Sequence, residues 1–261
     1  MVPYLARIDI FPIKSLDGIS VQQARILASG ALQGDRTYAL LDAQGNFIHG
    51  KSNPMVHRLR TRFSPDRDQV IWHIEYQSIP VSFSLNPPRQ ALETWLSDYF
   101  AEPVRLGENQ ATGFPDDTLA RGPTLISTAT LETVASWYGD LTLEEVRRRF
   151  RTNLEIGGVP PFWEDQLFSQ GREPVRFTIG TVVLEGTNPC QRCIVPTRDS
   201  LTGEATGRFQ STFVNRRCTS LPPWTHPSRF NHFYRLGINT NIKEQAGQVL
   251  TLGDTVGIDP L

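Results

Sequence analysis

The sequence predicts a mostly β protein with some α, in two domains: a smaller β-rich one over residues 1–107 and a second over 108–261. Three observations lead there. Twenty glycines and nineteen prolines require many turns, a pattern of β-rich chains rather than helical bundles. Short stretches of two-residue apolar periodicity alternate with polar turns through the first hundred residues. With 261 residues, 39% of them hydrophobic, the chain can bury one large core or two small ones.

Taken in order, residues 6–12 (Ala-Arg-Ile-Asp-Ile-Phe-Pro) alternate as a half-buried strand does. Residues 37–41 form a second strand, and Asp42-Ala43-Gln44-Gly45 turns the chain before Phe47-Ile48-His49. Residues 70–75 and 81–85 add two more. A helix is expected over 88–100, where Leu92, Trp95, Leu96 and Tyr99 make an apolar stripe. Another is expected over 127–138, with Ser127 or Thr128 as its N-cap. A third falls over 143–150, whose Glu-then-Arg order suits the helix dipole. The polar stretch 108–121 reads as a linker. After Asn153 strands return, and Gly180-Thr181 and Gly253-Asp254 each read as a hairpin turn, joining 176–179 to 182–185 and 249–252 to 255–258.

Charge and composition exclude several functions. A formal net charge of -1 provides no overall basic field for nucleic acid or an anionic membrane. No uncharged apolar run approaches the roughly 18 residues that a bilayer span needs. The N-terminus, Met1-Val2-Pro3-Tyr4-Leu5-Ala6-Arg7, lacks the apolar stretch of a secretory signal. A cytoplasmic setting with reduced thiols is therefore expected. Three cysteines, an odd set, also argue against a disulfide framework.

The chemistry concentrates in Asn188-Pro189-Cys190-Gln191-Arg192-Cys193, which four readings fit in different degrees. A structural zinc site would need Cys218 and a histidine such as His226 to complete the set, at a spacing irregular for a zinc module. A thioredoxin-like dithiol would open a helix after a strand, whereas Pro196 and the flanking strands argue for a loop. Two buried filler cysteines would sit among apolar neighbours, which Arg192 and Asp199 do not provide. The fourth reading is a thiolate bound to a metal that an anionic cofactor carries. It requires cations and hydroxyls elsewhere to grip the anion. The chain has Lys14-Ser15, Arg36 in Gly34-Asp35-Arg36, and Arg151 with Asn153 after the run Arg147-Arg148-Arg149. Most of that run reads equally well as a charged helix face. Arg151 stands apart, because the chain there turns into an apolar strand where an unpaired charge is costly. His49, His57 and His73 lack metal-ligand spacing and read as structural.

In this order, Ile10-Phe11-Pro12-Ile13-Lys14-Ser15, Gly34-Asp35-Arg36, Phe150-Arg151-Thr152-Asn153, the cysteine loop, Thr202-Gly203 and Gly253-Asp254 form a pattern over nearly the whole chain. That pattern resembles the MOSC superfamily, the molybdenum cofactor sulfurase C-terminal domain group. The nearer likeness is to the branch with an N-terminal MOSC β-barrel domain, which holds the mitochondrial amidoxime-reducing component and its bacterial relatives. The resemblance implies a cofactor-binding β-barrel MOSC domain over 108–261, preceded by that N-terminal domain. It implies a molybdenum–molybdopterin cofactor, rather than pyridoxal phosphate, in a cleft between the two. Cys193 would ligate the metal. Lys14, Ser15, Arg36, Arg151 and Asn153 would hold the pterin and its phosphate, with Arg192 beside the ligand and Thr124 of Arg121-Gly122-Pro123-Thr124 joining them. Pro196 is a departure, since relatives often have a hydroxyl residue there.

The implied activity is two-electron reduction of N-hydroxylated small molecules (amidoximes, hydroxylamines, N-hydroxylated bases), the N–OH group becoming N–H and water. No cysteine cluster for a fused iron–sulfur domain occurs in the sequence. Electrons are therefore expected from a separate ferredoxin, flavin or haem protein. Asp199 is expected to relay protons, the alternative being an ordinary turn cap. The same family also includes proteins viewed as carriers of the cofactor or of its sulfur, without turnover.

Overall fold

Alternation along β1 (Tyr4–Ile10) turns Leu5, Ile8 and Ile10 inward. The computed structural model describes residues 2–77, 79–171 and 173–258. In it β1 is followed by β2 (Ile19–Ser20), β3 (Gln23–Arg25) and β4 (Tyr38–Leu41). A short helix, α1 (Met55–Arg58), leads into a meander of β5 (Leu59–Phe63), β6 (Gln69–Ile74) and β7 (Val81–Ser84). Helix α2 (Gln90–Phe100) shares a core with Trp72 of that meander through Leu92, Leu96 and Phe100. Strand β8 (Arg105–Glu108) then returns to pair with β4.

The second half opens with β9 (Leu125–Ser127), α3 (Thr128–Ser136), α4 (Leu143–Phe150) and β10 (Leu154–Gly157). Ser127 caps α3 by accepting from the Thr130 N–H, and Thr142 caps α4 by accepting from that of Glu145. Next come β11 (Val175–Ile179), β12 (Val182–Gln191), α5 (Phe209–Thr219), β13 (Arg235–Asn241), β14 (Val249–Thr251) and β15 (Val256–Ile258). Among the described residues eight strands make one sheet, ordered β15-β11-β12-β13-β9-β10-β1-β2. Strand β1 lies antiparallel to β10, Leu5 opposite Ile156 and Ile8 opposite Leu154, and β3 pairs with β14. The molecule is mostly β with some α, as the sequence predicts. Strands from its first twenty-five residues complete sheets whose other members follow residue 120.

Three apolar clusters divide the interior. One lies on the large sheet around Leu5, Ile8, Leu154 and Phe177. Another joins Ile13, Leu16 and Leu40 to the meander and α2, and the third packs α3, α4 and α5 through Leu131, Phe150, Phe209 and Phe213. The chain passes from the first cluster to the second between Ile10 and Ile13, and again between Leu32 and Leu40. It passes from the third to the first between Phe150 and Leu154. Lys14-Ser15, Arg36 and Arg151 sit at or just beyond these crossings.

Three details differ from the sequence reading. Residues 249–252 and 255–258 flank a real turn at Gly253-Asp254, but do not form a hairpin. Strand β14 pairs with β3 and β15 with β11, so the two diverge into different sheets. Strand β10 runs parallel to β9 across α3 and α4, a crossover absent from the expected pattern. Helix α5 was not expected, because its buried face is Phe209, Phe213 and Arg217. An arginine at the third position of that stripe hides the helical period from any apolar count. No helix among the described residues is long and apolar enough to cross a membrane.

Arg217 pairs with Asp165 and stacks over Phe162 at 4.2 Å. Beside this pair Glu164 is fully buried, its Oε2 accepting from the Ser127 N–H (3.2 Å) and Thr130 Oγ1 (3.1 Å) while Oε1 has no partner. Burial, reinforced by neighbouring Asp165, pushes its pKa up to about 7 from an ordinary 4.5. Between those values the folded state keeps a proton that the unfolded state releases. Stability from this group is therefore full below pH 4.5 and is lost as pH rises toward 7. Urea unfolding at pH 5 and pH 7.5 should show the wild type losing about 2 kcal/mol more than Glu164→Gln across that window. Parallel pH profiles for the two proteins would mean that Glu164 titrates normally.

Candidate functional site

A cavity of about 730 Å³, within the range of small-molecule sites, lies along the crossings between the clusters. Lys14, Ser15, Arg36, Thr124, Arg151, Asn153, Arg192 and Cys193 all line it, as does Cys190. Ser15, Arg36 and Arg151 share a backbone feature: φ values of 72°, 48° and 52°, in the left-handed region that non-glycine residues seldom occupy. At Arg151 this is the C-cap of α4, its N–H donating to Arg147 O at 2.8 Å. Such conformations persist only where surrounding structure over-determines them.

Asn153 supplies much of that determination. It is 2% exposed, and its amide is fully used. Nδ2 donates to Asp9 O of β1 (3.0 Å) and to Asp35 Oδ1 (3.2 Å). Oδ1 accepts from the Thr124 N–H and Oγ1 (both 3.2 Å) and, more weakly, from Arg36 Nη1 (3.5 Å). Asn153 and Thr124 thus position the cradle rather than offering free groups to it. Asp35 in turn takes the Phe11 N–H at 2.8 Å and pairs with Arg36.

The cations are arranged unequally. Lys14 is buried and donates Nζ to Asp116 (2.6 Å) and Phe114 O (3.0 Å), which uses two of its three protons. Burial first, and then Arg36 and Lys51, outweigh Asp116 and hold the Lys14 ammonium below its usual pKa. In α4, Arg147 pairs with Glu155 and Glu144, while Arg148 and Arg149 share Glu145. Arg151 is different. Its guanidinium lies over Phe11 at 4.2 Å and gives Nη1 to Leu16 O, and its buried Nη2 has no partner. Burial, reinforced by Arg36, lowers its pKa to about 10.

The cysteine loop ends β12, which carries register shifts against β13 at 186/188 and 189/191. Pro189 cannot donate to the ladder, and the irregularity lets the strand leave the sheet toward the cavity. Cys193 is exposed and Cys190 half-buried, the latter within electrostatic reach of Arg36. Arg192 lines the cavity, yet its guanidinium is committed to Leu236 O and Phe150 O (2.9 Å for the latter). It anchors the loop to β13 and to the end of α4 while lining the cavity. Asp199 takes the form of the turn cap that is its alternative reading. Its Oδ1 accepts from the Leu201 and Thr202 N–H groups and from Thr202 Oγ1, closing a turn, and it is not among the cavity-lining side chains.

His49 and His57 line the cavity, contrary to their reading as merely structural, whereas His73 stays by Glu75. His57 shares Nε2 with Gly50 O at 3.3 Å; burial, then Arg198, Arg151 and Arg60, hold its pKa below the usual value. Asp116 escaped the sequence reading because it lies in the apparent linker 108–121. That stretch forms one wall of the cavity, and only the lone pairing with Lys14, 102 residues away, reveals it. Burial pushes the Asp116 carboxyl up, but Arg36 and Lys14 outweigh it and hold it well below the usual carboxylate range.

An unpartnered buried guanidinium nitrogen, flanking cations and a thiol lining one cavity fit a metal cofactor with a phosphate tail. No group of three or more Cys, His, Asp and Glu that could hold a metal ion occurs among the described residues.

Comparison with known proteins gives the same direction. A family model described as the MOSC N-terminal beta barrel domain matches residues 2–97, and one described as the MOSC domain matches 123–256. Two curated relatives carry the name molybdenum cofactor sulfurase. The one from Drosophila mojavensis is 25% identical across 97% of this chain and 34% of its own length. The one from Caenorhabditis elegans is 23% identical across 77% of this chain and 30% of its own. The chain spans about a third of the length of these relatives. Among solved structures, the YuaD protein from Bacillus subtilis aligns over 98% of this chain and 94% of its own, with 12% identity and a TM-score of 0.40.

Two outcomes test the site. Asn153→Asp removes both amide donors and sets a second carboxylate against Asp35. It should cost roughly 3 kcal/mol or more in denaturant unfolding; a loss below about 1 kcal/mol would show that the crossings do not need the amide. Millimolar inorganic phosphate should raise the melting temperature of the wild type by about 2–4 °C, equivalent to about 1 kcal/mol, and should fail to do so for Arg151→Ala.

Proposed function

The chain belongs to the MOSC family, with an MOSC N-terminal barrel ahead of the MOSC domain, and from that premise we propose that it is a molybdenum-cofactor-dependent reductase of N-hydroxylated compounds. Family and relatives tie it to the molybdenum cofactor. The reading rests on one observation above others: Cys193 lines the same cavity as Arg151, whose buried Nη2 lacks a partner. A thiol suited to a soft metal and a cation suited to a phosphate open onto one cavity.

When bound, the cofactor supplies a metal centre that exchanges two electrons with its substrate. Cys193 presents the thiolate that ligates that metal. Lys14, Ser15, Arg36 and Arg151 hold the phosphate and the pterin, while Asn153 and Thr124 fix the backbone on which those residues sit. Arg192 keeps the cysteine loop in place by gripping Leu236 O and Phe150 O. Reduction of N–OH to N–H and water consumes two protons as well as two electrons. His57, neutral and facing the cavity, is better placed to pass a proton than Asp199. The tautomer that gives Nε2–H to Gly50 O leaves Nδ1 as the basic nitrogen. Electrons come from a separate redox protein.

A second reading has its own support: the named relatives are sulfurases, and Cys193 is exposed. In that reading the sulfur of Cys193 carries a persulfide or hands on the cofactor, and no substrate is reduced.

Cofactor-loaded protein with an artificial electron donor should convert benzamidoxime to benzamidine. Cys193→Ser should lower that activity at least roughly 100-fold, the scale seen when a metal site loses a determinant, and should change the metal's coordination by X-ray absorption. Cys190→Ser should act more mildly. Metal retained without any reduction would favour the carrier, and equal full activity in both variants would remove Cys193 as the ligand.

A further inference from the structure

Charge is distributed very unevenly in this molecule. The whole chain has 26 Lys and Arg against 27 Asp and Glu, whereas the cavity is lined by eleven Lys and Arg and only four aspartates. All four aspartates are engaged. Asp17 pairs with Arg60 and takes the Thr61 N–H, and Asp35 and Asp116 are held by Arg36 and Lys14. Asp117 accepts from Asn239 Nδ2 at 3.0 Å and from the Leu119 and Ala120 N–H groups.

Among the lining cations, Lys51, Arg121, Arg151, Arg192, Arg198 and Arg235 have no carboxylate at ion-pair distance among the described residues. Arg192 is spent on carbonyls, and one cofactor phosphate, carrying about two charges, is answered by Arg151 with its neighbours. Four further cations have no carboxylate partner, although Arg235 gives its guanidinium to Pro189 O and Asn231 Oδ1, Arg198 gives Nη1 to Gly203 O and Arg121 gives Nε to Thr118 O. Lys51 and Arg121 are exposed and line the cavity from two different loops. Arg198 and Arg235 flank the thiol loop: Arg235 donates to Pro189 O at 2.8 Å, and Arg198 follows Cys193 by five residues with its buried Nε unpartnered. A lone exposed lysine is ordinarily just solvated. Four cations without a carboxylate partner, lining one cavity, focus a field into it, because hydrogen bonds to neutral oxygens orient them but leave their charge.

We infer that the substrate carries its own anion, so that the cavity selects phosphate-bearing N-hydroxylated compounds over neutral ones. This rests on the reductase reading and adds a substrate class to it. The second anion sits toward Lys51 and Arg121 while the N–OH end lies toward the thiol loop.

The test compares N6-hydroxyadenosine with its 5′-monophosphate by equilibrium binding to the cofactor-loaded protein, at low salt and at about 1 M salt, where screening falls to roughly 3 Å. The phosphate form should bind at least about tenfold more tightly at low salt, about 1.4 kcal/mol, and should lose most of that preference at high salt. The double variant Lys51→Ala/Arg121→Ala should cut the low-salt ratio at least about threefold, the scale of losing exposed, partly screened charges. Equal low-salt affinities, or a preference that 1 M salt leaves untouched, overturn the inference while the reductase reading stands. Release of the cofactor by the monophosphate also overturns it, because the phosphate would then be taking the cofactor's cradle. If the monophosphate binds selectively and is not reduced, charge selection holds and the reductase reading falls.

Discussion

One saturated amide sets the geometry on which the rest depends. Asn153 gives both its protons and both lone-pair directions to protein partners, and those partners belong to segments far apart in sequence. They are the backbone of β1, the turn at Asp35-Arg36 and the entry to β9. A buried side chain of this kind cannot shift without stranding several polar groups, each costing about 1–3 kcal/mol. The three segments are therefore registered to one another, and the left-handed residues Ser15, Arg36 and Arg151 become tolerable. The cradle is rigid because its hinge points are tied to one place.

That rigidity explains how neighbouring arginines in one short helix come to differ. Arg147, Arg148 and Arg149 meet Glu144, Glu145 and Glu155 and serve the scaffold. Helix α4 ends at Phe150, and the left-handed cap turns Arg151 away from those acids, over Phe11 and into the cavity. Residue type is the same throughout; backbone conformation decides which guanidinium stays available. The opposite outcome befalls Arg192, which lies beside the thiol yet is consumed by carbonyl oxygens.

Local signals carried much of this in the sequence. Strict alternation in 6–12, the apolar stripe of α2 and the capping serine at 127 each specify an element by short-range physics. So does the cost of an unpaired charge at Arg151, the residue whose nitrogen proves unpartnered. Long-range pairing was illegible. Nothing near Asp116 announces Lys14, and nothing near Val249 announces that it prefers Arg25 to the strand across its own turn. Side-chain consumption was illegible too: Asp199 and Arg192 have the right chemistry in the right segment, and only their hydrogen bonds show that they are already used. His57 failed for a related reason, since it joins the arginines through the fold and not through spacing.

The same placement links stability with occupancy. Two of the cations at the crossings between apolar clusters, Lys14 and Arg151, sit in surroundings that disfavour their charge, burial holding both below their ordinary pKa, whereas Asp35 and Asp116 hold Arg36 above its own. Asp35 and Asp116 offset part of that cost without removing it. An anion that fills the cavity supplies the remainder, and any ligand that binds only the folded state stabilises it in proportion to its occupancy. Segments that meet at the cavity then hold each other through the bound group as well as through Asn153. A protein built in this way carries its electrostatic imbalance where a ligand can relieve it, because relieving it internally with one more aspartate would close the site.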